Sequence, residues 1–281
     1  MNRQKSFENE KATLYLVPTP IGNLQEMTPR ALDILREVSI VAAEDTRNSK
    51  KLLMAYGIET PLMSHHEHNQ QTSIPKILEH LENGESVAVI SDAGYPLVSD
   101  PGQKLVQETI DHGFNVVSCS GANAAMNALV ASGLSCYHYM FYGFLDSKSS
   151  KRKKQLADLE YFPYTMIFYE APHRIEDTLQ DMLEVFGNRK MCLARELTKM
   201  HEEFIRGTID EVLQVVSTCK GEMVIIMDGH QKEEEAFDLD WCIDQVNAYI
   251  DGGMRTKEAI AIVAKESGCK KNELYEAYHK R

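Results

Sequence analysis

Short apolar runs and amphipathic stretches alternate along the first half of this chain. The runs at 13–17, 40–43, 61–64, 87–90 and 115–118 are too brief for helices and read as buried strands. Between them, 28–37, 48–56, 73–81, 103–112 and 122–132 carry apolar residues at helical spacing. Thr28 and Pro29 open the first of these as cap and first-turn residues, and Gly57 and Gly113 close two others. This rhythm predicts a mostly parallel sheet covered on both faces. After residue 133 the pattern changes. Strands are expected at 141–145, 164–169, 190–195, 202–207 and 223–228, with helices at 151–160, 174–186 and 209–217. The longer, mixed spacing predicts a second α/β domain with antiparallel pairs. An acidic stretch at 231–239 then leads to three short helices, 241–250, 256–266 and 271–279. The expected organisation is α/β: an N-terminal α/β domain at 12–133, a C-terminal α/β domain at 134–231 and a small helical appendage at 237–281.

Composition narrows the picture. A chain of 281 residues, 43% of them apolar, can bury a sizeable core. No stretch reaches the ~18–20 apolar residues of a membrane span, and the polar first eleven residues do not resemble a secretion signal. A cytoplasmic protein without a membrane partner is expected. The six cysteines lack Cys-x-x-Cys spacing, so reduced structural thiols are expected. The net charge of −12 argues against nucleic acid on its face. That sum conceals segregation: Glu233, Glu234 and Glu235 crowd one segment, and Lys148, Lys151, Arg152, Lys153 and Lys154 crowd another.

Chemistry concentrates where strands end. The stretch from Ser91 to Gly102 (SDAGYPLVSDPG) follows a buried strand with two glycines, two prolines and the bracketing Asp92 and Asp100. A second such loop, Pro18-Thr-Pro-Ile-Gly-Asn-Leu24, follows the first strand. Glu44-Asp-Thr-Arg47, the run from His65 to Asn69, and Ser120-Gly-Ala-Asn123 end three further strands. In the second half, Tyr169-Glu-Ala-Pro-His-Arg174 and Ala194-Arg-Glu-Leu-Thr-Lys199 do the same. Parallel strands gather such ends into one crevice, which is where open α/β sheets bind ligands.

These motifs, in this order and with the Gly207-Thr208 pair, resemble the bacterial small-subunit rRNA (cytidine-2′-O)-methyltransferases of the tetrapyrrole-methylase superfamily. The resemblance spans about residues 12–230, and the helical tail resembles that family's extra C-terminal domain. It implies two α/β domains with S-adenosylmethionine in the cleft between them, a homodimer, and small-subunit rRNA or the assembled subunit as partner. It implies cofactor contacts from Pro20, Gly94, Pro96, Leu97, Gly121 and Asn123, and from Glu170, Ala194 and Met223 of the second domain. Ser120–Asn123 stands where the family usually has Pro-Gly-Ala-Ser, and Tyr95 where it usually has Thr.

Methyl transfer to a ribose hydroxyl asks for alignment and for removal of a proton. Glu44, Asp45, Arg47 and Glu170 are the leading catalytic candidates. His66, Glu67, His68, Glu196 and a burial-depressed Lys199 are further possible bases. The bland reading of the 44–47 segment is a salt bridge that braces its own loop. The histidine run lacks metal-ligand spacing, and no metal is expected. Lys148, Lys151, Arg152, Lys153, Lys154, Arg195 and Lys199 are the candidate RNA contacts, with Lys190 and Arg206 beside them. The bland reading of this set is a solvated helix face. Two other functions fit the same fold: methylation of a corrin or porphyrin precursor, and a non-catalytic ribosome-assembly binder. A nicotinamide dehydrogenase is disfavoured, because no Gly-x-Gly-x-x-Gly follows the first strand.

Overall fold

The computed structural model describes residues 3–231 and 238–280. The acidic run at 233–235 lies outside them. Five strands form the first sheet: β1 (Thr13–Leu16), β2 (Ile40–Ala43), β3 (Leu62–Ser64), β4 (Val87–Ile90) and β5 (Asn115–Ser118). All pair in parallel, in the order β3-β2-β4-β1-β5. Side chains alternate across each strand. Val87 and Val89 of β4 therefore face one way, onto Ile74 and Ile77 of α3 (Gln70–Glu82) and Leu105 of α4 (Gln103–Asp111). Ala88 and Ile90 face the other way, onto Ile34 and Leu35 of α1 (Pro29–Glu37) and Leu53 of α2 (Thr46–Ala55). The neighbouring strands β2 and β4 are apolar throughout because both faces are covered.

This winding creates the crevice. β1 and β4 are neighbours. The chain leaves β1 toward α1 on one face and leaves β4 toward α4 on the opposite face. Their connections diverge, and the space beyond their carboxyl ends stays open.

The second sheet runs β6-β7-β10-β8-β9, with β6 (Tyr139–Phe144), β7 (Thr165–Glu170), β8 (Lys190–Arg195), β9 (Glu203–Thr208) and β10 (Met223–Met227). β6 pairs parallel to β7, and the other pairs are antiparallel. Met223, Ile225 and Met227 of β10 face α6 (Ser149–Ala157), α7 (Ile175–Phe186) and α8 (Ile209–Val216). Val224 and Ile226 face α5 (Ala124–Ser132), whose Ala125, Ala128 and Leu129 lie against Ile167, Cys192 and Ala194. Residues 238–280 make a separate unit of α9 (Leu239–Asp251), α10 (Thr256–Ser267) and α11 (Lys271–His279). Its own core gathers Cys242, Val246, Ile260, Val263 and Leu274.

Several helix starts differ from the sequence pattern, three of them for a plain local reason. α2 begins at Thr46 because the Asp45 carboxylate accepts from the Arg47 amide and caps it. α5 begins at Ala124 because Asn123 Oδ1 accepts from the Met126 amide at 3.0 Å. α3 begins at Gln70, continuing a 3₁₀ turn at Glu67–Asn69, and keeps Pro75 inside. All six cysteines are free thiols, five of them buried. Among the described residues, no helix is long and apolar enough to cross a membrane.

Candidate functional site

Backbone contacts draw the loops after β1, β4 and β5 together. Thr19 and Gly94 exchange two amide–carbonyl hydrogen bonds, at 2.9 and 3.0 Å, which join the two proline-glycine loops directly. Gly94 holds this turn at φ +75°, a conformation that side chains disfavour. The Tyr95 hydroxyl accepts from the Gly121 amide at 3.1 Å and ties the β4 loop to the β5 loop. Gly121 lies so close to Pro18 that a Cβ there would stand 2.6 Å from the proline ring. A loop of the second sheet arrives opposite. A Cβ on Gly22 would meet the Lys199 side chain at 2.5 Å, so the β1 and β8 loops cross at a residue with no side chain.

A cavity of about 380 Å³ opens between these loops. The first sheet contributes Ile21, Asp92–Tyr95 and Val98–Asp100, and α5 contributes Asn123 and Ala124. From the second sheet come Phe144, Tyr169–Pro172, Leu197 and the start of β10. Register explains that last element. Met223 pairs with Glu170 on one side and Arg195 on the other, so an antiparallel strand begins where its neighbours end. Tyr169 is wedged between Phe141 and Phe144, with ring centroids 5.0 and 5.6 Å away.

The lining includes four carboxylates, Asp92, Asp100, Glu170 and Glu222, and no Lys, Arg or His. Burial pushes Asp100 up to about 6, with the charges of Glu44 and Asp92 adding to it and a Ser91 hydrogen bond opposing it. Glu44 is likewise raised, first by burial and then by Asp92. The cavity therefore suits a ligand with positive charge, which would relieve this repulsion, and with an aromatic or apolar group for the Phe144–Tyr169 wall.

The residues singled out from sequence separate into three groups. Gly94, Asn123, Glu170 and Met223 line the cavity, whereas Pro20, Pro96, Leu97, Gly121 and Ala194 do not. Ala194 is fully buried beneath α5. Gly121 acts through close packing, and Pro20 lines a separate hollow. Among the catalytic candidates, Asp45 both caps α2 and pairs with Arg47 at 2.8 Å. Its hydrogen bonds to the Arg47 side chain and backbone hold it at about 2. The bracing reading thus describes Asp45 and Arg47, while Glu44 is left to face Asp92. Glu170 is almost wholly buried. It accepts from the Ala171 amide at 2.8 Å and the Thr178 hydroxyl at 2.6 Å, and pairs with Arg174 at 3.4 Å. Those partners occupy both oxygens, so it shapes the β7 loop. Burial lowers Lys199, but hydrogen bonds to Glu222 and Glu196 outweigh it and raise the ammonium, which removes Lys199 as a base.

The basic cluster also divides. Arg152 is 2% exposed and bonded to Asp181 at 2.7 Å, so it is a core ion pair and no RNA contact. Lys153 pairs with Glu184 and Asp181, Lys151 with Asp146, and Arg195 with Glu203. Lys148 and Lys154 are exposed on α6 and its cap. His65 bonds Ser73 at 2.8 Å, and the nearby His66 only partly offsets the rise at Glu44. Among the described residues, no group of three or more His, Cys, Asp or Glu has metal-binding geometry.

Sequence reasoning left Asp92, Asp100, Glu222 and the Phe144–Tyr169 wall without roles. The two aspartates were visible as brackets of the β4 loop. Glu222 stood in the Lys220-Gly-Glu-Met223 segment before the last strand, whereas Phe144 had no local signal, and both reach the cavity only through pairing in the second sheet.

Comparison with known proteins gives a consistent result. Residues 13–213 match the family model for Tetrapyrrole (Corrin/Porphyrin) Methylases. The ribosomal RNA small subunit methyltransferase I of Bacillus subtilis is 46% identical over 288 residues, covering 99% of both chains. Its counterpart in Escherichia coli O157:H7 is 41% identical, covering 98% of this chain and 97% of that one. Among solved structures, a cobalt precorrin-4 methyltransferase superposes with a TM-score of 0.60 at 13% identity, covering 77% of this chain and 94% of its own.

Proposed function

This chain belongs to the tetrapyrrole methylases and, among them, to the ribosomal RNA small subunit methyltransferase I family, and on that premise we propose that it methylates a cytidine ribose 2′-hydroxyl in 16S rRNA. It is an S-adenosylmethionine-dependent rRNA methyltransferase. The observation that carries the substrate class is coverage. The rRNA enzymes are 41–46% identical to it and account for 98–99% of this chain.

S-adenosylmethionine supplies a methyl group on a sulfonium. The cavity chemistry fits such a molecule: it is cationic, it carries an adenine, and the lining offers carboxylates, an aromatic wall and small residues. In this reading Asp92 and Asp100 hold the charged portion, while Glu222 is paired with Lys199. Phe144, Tyr169, Ile21 and Leu197 take the adenosyl group and exclude water. Backbone at Ala93 and Gly94 supplies polar contacts where Gly94 allows close approach. Tyr95 and Asn123 act as braces, one tying two loops and the other capping α5. Glu44 is the strongest remaining candidate base, since it interacts with the cavity-lining Asp92 and burial raises its carboxyl above the ordinary value. Residues 12–133 and 134–231 are the two lobes of the enzyme and 237–281 its appendage. The enzyme works as a cytoplasmic homodimer on naked rRNA or the assembled subunit.

Two measurements test this. Calorimetric titration with S-adenosylmethionine should show one saturable site, and its absence removes the cofactor reading. Small subunits from a deletion strain should lack one ribose methylation that the purified protein restores. An unchanged methylation map in that strain removes the rRNA reading, and binding of a porphyrinoid would favour a tetrapyrrole substrate.

A further inference from the structure

A second hollow, of about 330 Å³, adjoins the cofactor cavity. Pro20 and Leu24 of the β1 loop, Asn48 and Leu52 of α2, and Ser91 and Asp92 of the β4 loop enclose it. Asp92 also lines the cofactor cavity, so the two spaces share one side chain as their wall. We propose that this hollow receives the nucleoside whose ribose is methylated, with α2 as the surface that holds the flanking phosphates. The inference rests on the rRNA methyltransferase reading and adds the place where the target enters.

Position is the first argument. A ribose held here would lie beside Asp92, the side chain that also lines the donor's cavity, and Glu44 interacts with that same carboxylate. Enzymes that do chemistry on a base draw the nucleotide out of its stack into a pocket beside the reacting group, and the same extrusion would present a ribose hydroxyl. Chemistry is the second. Pro20, Leu24 and Leu52 offer an apolar surface for a flat base. Asn48 Nδ2 donates to Asp92 Oδ2 at 3.1 Å, leaving Asn48 Oδ1 as an acceptor. An exocyclic amine such as that of cytosine is the matching donor.

Charge is the third. The sequence of α2, TRNSKKLLMA, contains Arg47, Lys50 and Lys51 and no acid, in a chain of net charge −12. Arg47 pairs with Asp45, which leaves Lys50 and Lys51 as the exposed cations of the helix, and Lys51 borders the hollow itself. By contrast, α6 commits Arg152 and Lys153 to Asp181 and Glu184. Phosphate contacts of this kind position a nucleic acid without reading its sequence.

The test uses the full-length protein and small subunits purified from a deletion strain. Leu52→Trp should fill the hollow, and the double variant Lys50→Glu/Lys51→Glu should reverse the charge of α2. Each is expected to raise KM for the subunit by about tenfold or more with kcat little changed, because binding rather than chemistry is removed. S-adenosylmethionine affinity should stay within about twofold of wild type, which also reports that each variant is folded. The charge variant should flatten the dependence of KM on salt. Unchanged KM in both variants overturns the proposal. So does a Lys148→Glu/Lys154→Glu control that raises KM as much as the α2 variant, since α6 would then be the RNA surface. Failure of the wild-type protein to methylate these subunits would instead remove the function on which the proposal stands.

Discussion

At Asp100, burial and the charge of Glu44 together keep a proton bound up to about pH 6, against an ordinary aspartate value of 3.8. The folded state therefore binds this proton more tightly than the unfolded chain. Stability falls as pH rises from about 4 to about 6 and stays lower above that. The carboxylate is half exposed, so solvent screening reduces the effect to about 1 kcal/mol. Asp100→Asn should raise the melting temperature at pH 8 and leave it unchanged at pH 3.5. The same carboxylate should favour a cationic ligand only when ionised. S-adenosylmethionine affinity is expected to weaken about threefold to tenfold between pH 7.5 and pH 5 in the wild type and to stay flat in Asp100→Asn. Calorimetry in two buffers of different ionisation heat should detect the proton released on binding; no release would remove Asp100 from the site. Arg152 shows the limit of reading residues one at a time. In sequence it is one of five cations within seven positions, yet its partner Asp181 lies 29 residues away. Arg152→Ala leaves the buried Asp181 carboxylate with only Ser149 and the more distant Lys153 and should cost about 2–3 kcal/mol in urea denaturation, while Lys154→Ala should change stability by less than about 0.5 kcal/mol.

At the scale of elements, strands and helices followed from local pattern because each has a dry side. Val87–Ile90 is apolar at every position since helices cover both faces, and α1 begins at Thr28–Pro29 as its cap chemistry requires. Loops followed less well. Asp45 and Asn123 read as site residues, and both spend an oxygen on a helix amide. The role of Gly121 is steric, which no pattern of polar residues reveals. Gly121→Ala should push the β5 loop off Pro18 and strain the Tyr95 hydrogen bond. We expect S-adenosylmethionine affinity to fall by about tenfold, measured by calorimetry, with far-UV circular dichroism unchanged. Wild-type affinity in this variant would mean the β5 loop does not shape the cavity.

For the whole molecule, the prediction concerns the appendage. Residues 238–280 have their own core, and the cavity is lined entirely from residues 21–224. A chain ending at His230 should therefore keep wild-type S-adenosylmethionine affinity; loss of binding would show that the cavity depends on the helical unit. What the sequence determined by itself was the order of elements and the chemical character of each strand end, because periodicity, caps and turn residues act over a few positions. Only the tertiary structure decided which of those ends share a cavity. Strand order and register placed Glu222, Met223 and Phe144 opposite Asp92 and Asp100, and long-range ion pairs drew Arg152 and Lys199 out of the candidate set. Such selections depend on distances between residues remote in the chain, and folding alone sets them.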